Sequence, residues 1–361
     1  MKKLSYIAEF TLPSRSAYSI QVMKMCEAFS KKGFKVDLHV LDKKINKSVF
    51  SAYNCSNNFK IRSYGIKKNN FIGRLLYALK NLYNFNANKD ERIFYCRSII
   101  TGLLLCFLTQ NIVIELHHNL KGFTLILFNF CKKLKPFTKI KFVFITKNLQ
   151  KFFDLNNKSI VLDDAVDIEK FVNHKSRKKF KNTCVYTGSF SKGKGLETII
   201  KIAKVLPNIT FHIYGDFTNS YVSKNYLDKI KNITYKGYVE NREMPNILSR
   251  YYAYLMPYSK KVFVRSKNIE VGKYMSPLKL FEYLASEGVL FASEMQVYKH
   301  ILNGRNSIII KKNLLSSWKK KILSFFKKKS KFEYLSINAY KTAKENTWKK
   351  RVEKIKVFLN A

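Results

Sequence analysis

The sequence predicts an α/β protein made of two doubly wound halves, each a mostly parallel sheet with helices on both faces. Three observations carry this expectation. The chain has 361 residues, whereas single cores usually stop growing near about 250 residues. Apolar runs of strand length alternate with amphipathic stretches of helix length, the order that builds parallel sheets. A polar, basic stretch, NHKSRKKFKN at 173–182, separates this alternation into two series.

In the first series, LSYIAEF (4–10) reads as a strand, SIQVMKMCEAFSKKG (19–33) as a helix ending at Gly33, and FKVDLHVL (34–41) as the next strand, a βαβ opening. RIFYCR (92–97) and NIVIELHH (111–118) follow as strands, with IITGLLLCFLT (99–109) as the helix between them. KFVFIT (141–146) and SIVLDDAV (159–166) close the half. The second series opens with TCVYTGSF (183–190) as a strand and GLETIIKIAKVL (195–206) as a helix. ITFHIYG (209–215), NITYKGYV (232–239), YYAYLMPY (251–258) and VLFAS (289–293) are further strands. NTWKKRVEKIKVFL (346–359) places Trp348, Val352, Ile355 and Leu359 at helical spacing. The expected division is 1–172 and 173–340, with a terminal helical segment at 341–361 returning to the first half.

Hydrophobic residues make up 46% and charged residues 25% of the chain, so it can bury cores and does not have a disordered composition. A formal charge of +44, from 68 Lys and Arg against 24 Asp and Glu, must attract anions: phosphorylated small molecules, polyanions or anionic lipid. The six cysteines are scattered without metal-site spacing, and no D-x-D occurs, so neither a structural metal nor a chelated catalytic one is expected. Scattered cysteines suit a reducing compartment. No run reaches the roughly 18–20 apolar residues of a membrane span, which points to the cytoplasm, with peripheral contact at the inner membrane face left open.

Two stretches carry chemistry. In GKYMSPLKLFEYLAS (272–286), Ser276 suits an N-cap and Pro277 the first helical position, where its missing N–H costs nothing. The helix start would offer unpaired N–H groups to an anion. Leu280, Phe281, Leu284 and Ala285 would face one way, and Lys279, Glu282 and Ser286 the other. A surface Lys–Glu pair is the simpler interpretation of that polar face; the functional one puts a diphosphate on Lys279 and the helix start, and a ribose diol on Glu282. In VYTGSFSKGKGLE (185–197), a glycine-rich turn between strand and helix brings N–H groups and lysines to one place. A solvated turn is the alternative.

Together these stretches resemble the donor-binding half of family 4 of the retaining glycosyltransferases, which have the GT-B fold of two facing Rossmann-like domains. The likeness extends to RSAYSIQVMKMCEAFSKKGFKVDLHV (15–40), VLDDAVDIEKF (161–171) and TWKKRVEKI (347–355) in the same order. It implies transfer of a sugar from a nucleotide diphosphosugar to a saccharide or lipid-linked saccharide with retention, in surface polysaccharide or glycan assembly, without metal or cofactor. By this resemblance Lys194, with Gly188, Ser189 and Gly195, meets the donor diphosphate. The loop Gly272, Lys273, Tyr274, Met275, Ser276, Pro277 and Leu278 offers it N–H groups, Lys279 assists, and Glu282 binds the ribose. His117 is expected near the transferred sugar, although a structural histidine at a strand end is an equal alternative.

The departures are specific. Tyr274 stands eight before Glu282, near where many members carry a first glutamate. Ser189 or Phe190 replaces a common arginine, whose charge Arg265 could supply. Ser16, Ala17 and Ser19, within SRSAYS, replace a Gly-Gly and are expected to face the acceptor or phosphate. Ala165 stands where glycine is usual. IKKNNFIGRLLYALKNLYNF (66–85) and WKKKILSFFKKKSKF (318–332) interleave basic, aromatic and aliphatic residues. Each alone is most simply a core-facing helix with solvated lysines, and both together suggest an anionic lipid surface. The rivals are a nucleic-acid-binding protein, for which no reader motif is found, and a catalytically silent GT-B partner protein.

Overall fold

The computed structural model describes residues 2–43, 49–67, 70–85, 92–155, 158–172, 178–218, 220, 222–264 and 269–360. The chain forms two compact units, Met1–Asp163 with Trp348–Ala361, and Asp164–Thr347. The chain therefore changes unit after Asp163, ahead of the expected break at 172, and returns at Trp348 rather than at 341. Residues 173–177 of the expected linker lie outside the described residues.

The first unit is a seven-stranded parallel sheet of β1 (Lys3–Ile7), β2 (Lys35–Val40), β3 (Lys60–Ser63), β4 (Arg92–Cys96), β5 (Ile112–Leu116), β6 (Lys141–Phe144) and β7 (Ser159–Val161), in the order β3-β2-β1-β4-β5-β6-β7. Its central strands are near-continuous apolar runs because both faces are covered, as a parallel sheet requires. Helix α1 (Ala17–Lys31) starts at a Ser16 cap and ends before Gly33, whose φ of +87° suits glycine. Helices α2 (Phe71–Phe85), α3 (Ile99–Leu105) and α4 (Gly122–Lys132) follow. The strand expected over 159–166 is only three residues long, since the backbone of Asp164 is engaged elsewhere, as described below.

The second unit repeats the plan with six strands: β8 (Thr183–Thr187), β9 (Thr210–Tyr214), β10 (Ile233–Tyr235), β11 (Ala253–Met256), β12 (Val289–Ser293) and β13 (Ile308–Ile310). Their order is β10-β9-β8-β11-β12-β13 and all are parallel. In both sheets the order reverses beside the first strand, and in such folds ligands bind outside the carboxyl ends of the strands at that point. Helix α5 (Leu196–Val205) follows β8, helix α6 (Leu278–Ala285) precedes β12, and helix α7 (Leu315–Lys327) packs Trp318, Ile322 and Phe325 into the core. For 318–332 the core-facing interpretation therefore holds. Among the described residues no helix is long and apolar enough to cross a membrane.

The terminal helix, Trp348–Asn360, belongs to the first unit and is anchored there by a buried ion pair. Arg351 Nη2 donates to Glu115 Oε1 at 3.0 Å and to the Leu162 carbonyl at 3.2 Å, while its Nε donates to the Asp163 carbonyl at 2.8 Å.

Candidate functional site

The site in the second unit is built where β8 ends and α5 begins. Gly188 has φ +127°, a backbone conformation that requires glycine, and its missing side chain leaves room for Lys279, whose Nζ would lie 2.9 Å from a Cβ there. The loop then turns through Gly193 and Gly195, with φ of +82° and +102°. A Cβ on Gly193 would lie 2.0 Å from the Lys261 carbonyl, and one on Gly195 2.5 Å from that of Pro257. These glycines let the loop lie flat on segment 257–263, to which it is tied by Ser259 N–H to Gly193 O at 2.9 Å and Phe263 N–H to Lys192 O at 3.0 Å. The solvated-turn alternative fails on this packing.

Lys194 folds back over the loop, and its Nζ donates to Ser189 Oγ at 2.8 Å. Burial lowers its pKa to about 8, with nearby Asp216 opposing the shift. Lys279 reaches the same place from α6. Its ammonium is buried, lies 3.9 Å from the Tyr186 ring centroid and 5.1 Å from that of Tyr258, and has no hydrogen-bond partner. Burial first, and then repulsion from Lys194, hold its pKa well below the ordinary lysine value, with Glu282 pulling the other way. Two lysines thus converge on Gly188 and Ser189, one of them buried with no acceptor. A buried ammonium without an acceptor is costly. A bound anion would relieve that cost.

Lys279 and Ser286 correct the expected polar face of α6. Both are buried, and the Ser286 hydroxyl donates to the Glu282 carbonyl at 2.7 Å as the helix ends. Ser276 is likewise not the cap: Pro277 occupies that position without a side-chain cap bond, and the helix starts at Leu278. Ser276 Oγ accepts instead from the Asp164 N–H at 3.0 Å, tying the start of the unit to this loop. Glu282 is partly buried, and its Oε1 accepts from Asn241 Nδ2 at 3.0 Å. In the loop 272–277, Gly272 passes so close to the Lys260 carbonyl that a Cβ would lie at 2.6 Å, and the Tyr274 N–H is used by the Val271 carbonyl at 2.8 Å. Met275 packs against the core, and Lys273 is exposed. Arg265 lies outside the described residues.

Sequence reasoning missed Tyr186, Tyr258, Tyr283 and Asn241. Tyr283 fixes the end of β8, its hydroxyl accepting from the Thr187 N–H at 2.8 Å. Tyr186 donates to the Ser189 carbonyl at 2.9 Å and lies beneath the Lys279 ammonium. Tyrosines inside apolar runs read as core, and nothing in their spacing marks a ligand site.

In the first unit, His117 sits just past β5, and its Nε2 bonds Glu115 Oε1. Glu115 is fully buried and also accepts from Tyr95, Gln21 and Arg351. Its own burial would raise its pKa, but Arg351, His117 and Arg97 outweigh that and hold it well below the usual carboxylate range. Burial, reinforced by Arg97 and opposed by Glu115, lowers the His117 pKa to about 3, so the ring is neutral at physiological pH. With Nε2–H donating to the carboxylate, Nδ1 is its acceptor atom. Ser16 caps α1 by accepting from the Ser19 N–H at 3.2 Å. The buried Ser19 hydroxyl donates to the Ser14 and Ser16 carbonyls at 2.9 and 2.8 Å, and Ala17 is exposed at the first helical position.

Residues 195–356 match the family model described as Glycosyl transferase-like. No curated protein matches the chain at a significant level. Among solved structures, sucrose-phosphate synthase from Thermosynechococcus elongatus superposes with a TM-score of 0.76 at 11% identity, covering 100% of this chain and 98% of its own. Anabaena HepE in complex with UDP and glucose gives 0.69 at 10% identity, covering 98% and 99%. A variant of S. aureus TarM in complex with fondaparinux, α-GlcNAc-glycerol and UDP gives 0.72 at 11%, covering all of both chains. The chain has the GT-B fold, and the segment that matches the family model contains Lys194's neighbour Gly195, all of α6 and Lys279, which has no hydrogen-bond partner.

Proposed function

We propose that the protein is a retaining glycosyltransferase that moves a sugar from a nucleotide diphosphosugar to a saccharide or lipid-linked saccharide acceptor. The observation that carries this is the buried Lys279 ammonium, without an acceptor, converging with Lys194 on the Gly188–Ser189 turn. A diphosphate supplies the missing acceptors at the fold's expected ligand position. Glu282, one turn beyond Lys279 on α6, receives the ribose hydroxyls, with Asn241 holding its carboxylate in place. HepE and TarM, both bound to UDP in their solved structures, add weight to a uridine or related nucleotide.

In the proposed reaction the anomeric C–O bond breaks heterolytically and its electron pair goes to the diphosphate. Fixed cations aimed at that developing charge lower the barrier, and Lys194 and Lys279 supply them. The acceptor hydroxyl attacks the anomeric carbon from the face the diphosphate leaves, and its proton passes to a leaving phosphate oxygen, so the configuration is retained. Within the first unit, neutral His117 is oriented by Glu115 and keeps Nδ1 free to accept a hydrogen bond.

The test is release of nucleoside diphosphate from a panel of UDP-, GDP- and dTDP-hexoses, with the anomer of the product assigned by NMR. One donor class is expected to turn over slowly with water and faster with an acceptor, giving the retained anomer. Lys279→Met is expected to cut turnover by about 100-fold, the scale of losing one preorganised charge stabiliser. Inverted product would overturn retention, and unchanged turnover in Lys279→Met would remove the proposed phosphate site.

A further inference from the structure

Helix α2 is apolar on both sides. At about 100° per residue, its buried residues Gly73, Tyr77, Ala78, Asn81 and Phe85 occupy one side, while Ile72, Leu76, Leu79 and Tyr83 stand on the other. Ile72 is 66% and Tyr83 86% exposed. The leucines of 66–85 therefore do not all face the core, and the core-facing interpretation fails for this segment. Helix α4 repeats the pattern: Thr124, Phe128 and Cys131 are buried, whereas Phe123, Ile126 and Phe130 point outward, Ile126 at 66% and Phe130 at 60% exposure. The two faces join where the Phe71 and Phe123 rings meet, with centroids 4.8 Å apart. Of the eighteen exposed large apolar side chains among the described residues, nine lie on these two helices, so this is one surface rather than scatter.

The charge that these segments carry is of one sign, and the one acidic partner seen on α2 among the described residues, Glu9 paired with Arg74 at 2.7 Å, is largely buried. Neither 64–89 nor 116–153 contains an aspartate or glutamate, and Lys67, Lys80, Lys121, Lys132 and Lys133 are exposed on these segments. A second copy of the chain would bring a like-charged rim against this one. A nucleic acid would use the lysines and leave the aliphatic face in water. Aromatic and aliphatic side chains flanked by lysines fit one partner on both counts, the interface of an anionic bilayer. We propose that α2 and α4 form a membrane-docking face that inserts into the headgroup layer of anionic lipid. This goes beyond the donor reading and does not rest on it.

The experiment is co-sedimentation of the full-length protein with vesicles of phosphatidylcholine alone or with 30 mol% phosphatidylglycerol, at 150 mM NaCl. At least tenfold tighter binding to the anionic vesicles is expected. The paired variants Leu76→Glu with Tyr83→Glu, and Ile126→Glu with Phe130→Glu, should each lower it at least tenfold without changing the thermal midpoint, because these side chains are exposed. In a second measurement, Tyr83→Trp should show an indole emission blue shift on adding anionic vesicles. The proposal is overturned if wild type stays in the supernatant, if the glutamate variants bind as wild type does, or if the indole emission does not move. It is equally overturned if the face proves to be a dimer contact, dissociated by the same variants, with no vesicle binding.

Discussion

Lys279 gives the sharpest test at the scale of a residue. Replacing it by Met fills the same space with an apolar chain and removes a buried charge that has no acceptor. Without ligand, Lys279→Met should melt at a higher temperature than wild type, while affinity for the cognate nucleotide diphosphate should fall by about tenfold or more, as expected for a charge-assisted bond of roughly 1.5–3 kcal/mol. A merely structural lysine would not separate the two readouts. Differential scanning fluorimetry with and without nucleotide reads both. Lys194 adds a pH signature. Its pKa in the unliganded fold is lowered to about 8, so the unfolded chain holds a proton that the folded one has released. The contribution of Lys194 to folding stability therefore rises as pH climbs from about 8 towards the ordinary lysine range. Nucleotide binding runs the other way: affinity should weaken by up to about tenfold per pH unit above 8, and this dependence should become shallower in Lys194→Met, where only Lys279 remains to titrate. Calorimetric titration from pH 7 to 9.5 checks it.

At the scale of the element, the strand–loop–helix run 183–205 is held by contacts that only glycine permits. Gly195→Ala forces a methyl onto the Pro257 carbonyl at a φ of +102°. It should destabilise the second unit by about 1–3 kcal/mol through strain alone and abolish nucleotide binding, whereas Gly304→Ala, with nothing within 4 Å, should retain binding. Chemical denaturation with a nucleotide-binding assay separates the pair. The glycine-rich turn was legible in the sequence because a strand before it and an amphipathic helix after it fix its place. Helix α6 was legible in its extent but misread by one residue at its start. Periodicity assigns the nearest serine to the cap, and it cannot see that Ser276 is already engaged with the Asp164 N–H. The same blindness put Lys279 on a solvated face: Tyr186 and Tyr258, which close over it, come from distant segments.

At the scale of the whole molecule, alternating strands and helices were enough to predict two doubly wound units, because an unbroken apolar strand needs helices on both faces. The point of crossing was less legible. Arg351 is one basic residue among many in a lysine-rich terminal segment, and only the fold shows it reaching Glu115 and the carbonyls at 162 and 163. Removing it leaves a buried carboxylate with less compensation. Arg351→Met should destabilise the first unit by about 3–5 kcal/mol, measured by denaturant unfolding. It should also disturb the Glu115 carboxylate that orients His117.

The most direct measurement of the central claim, that Lys194, Lys279 and Glu282 form a nucleotide-diphosphosugar site, is a binding panel at 150 mM salt. UDP-, GDP-, dTDP- and CMP-sugars, with inorganic diphosphate as a control, would be titrated against wild type, Lys279→Met and Glu282→Ala. The account predicts that one nucleoside diphosphosugar binds selectively, that both variants lose that selectivity, and that Glu282→Ala leaves inorganic diphosphate binding intact because its loss falls on the ribose. Equal binding of every anion, unchanged in both variants, would contradict it and assign the response to the +44 charge of the chain as a whole.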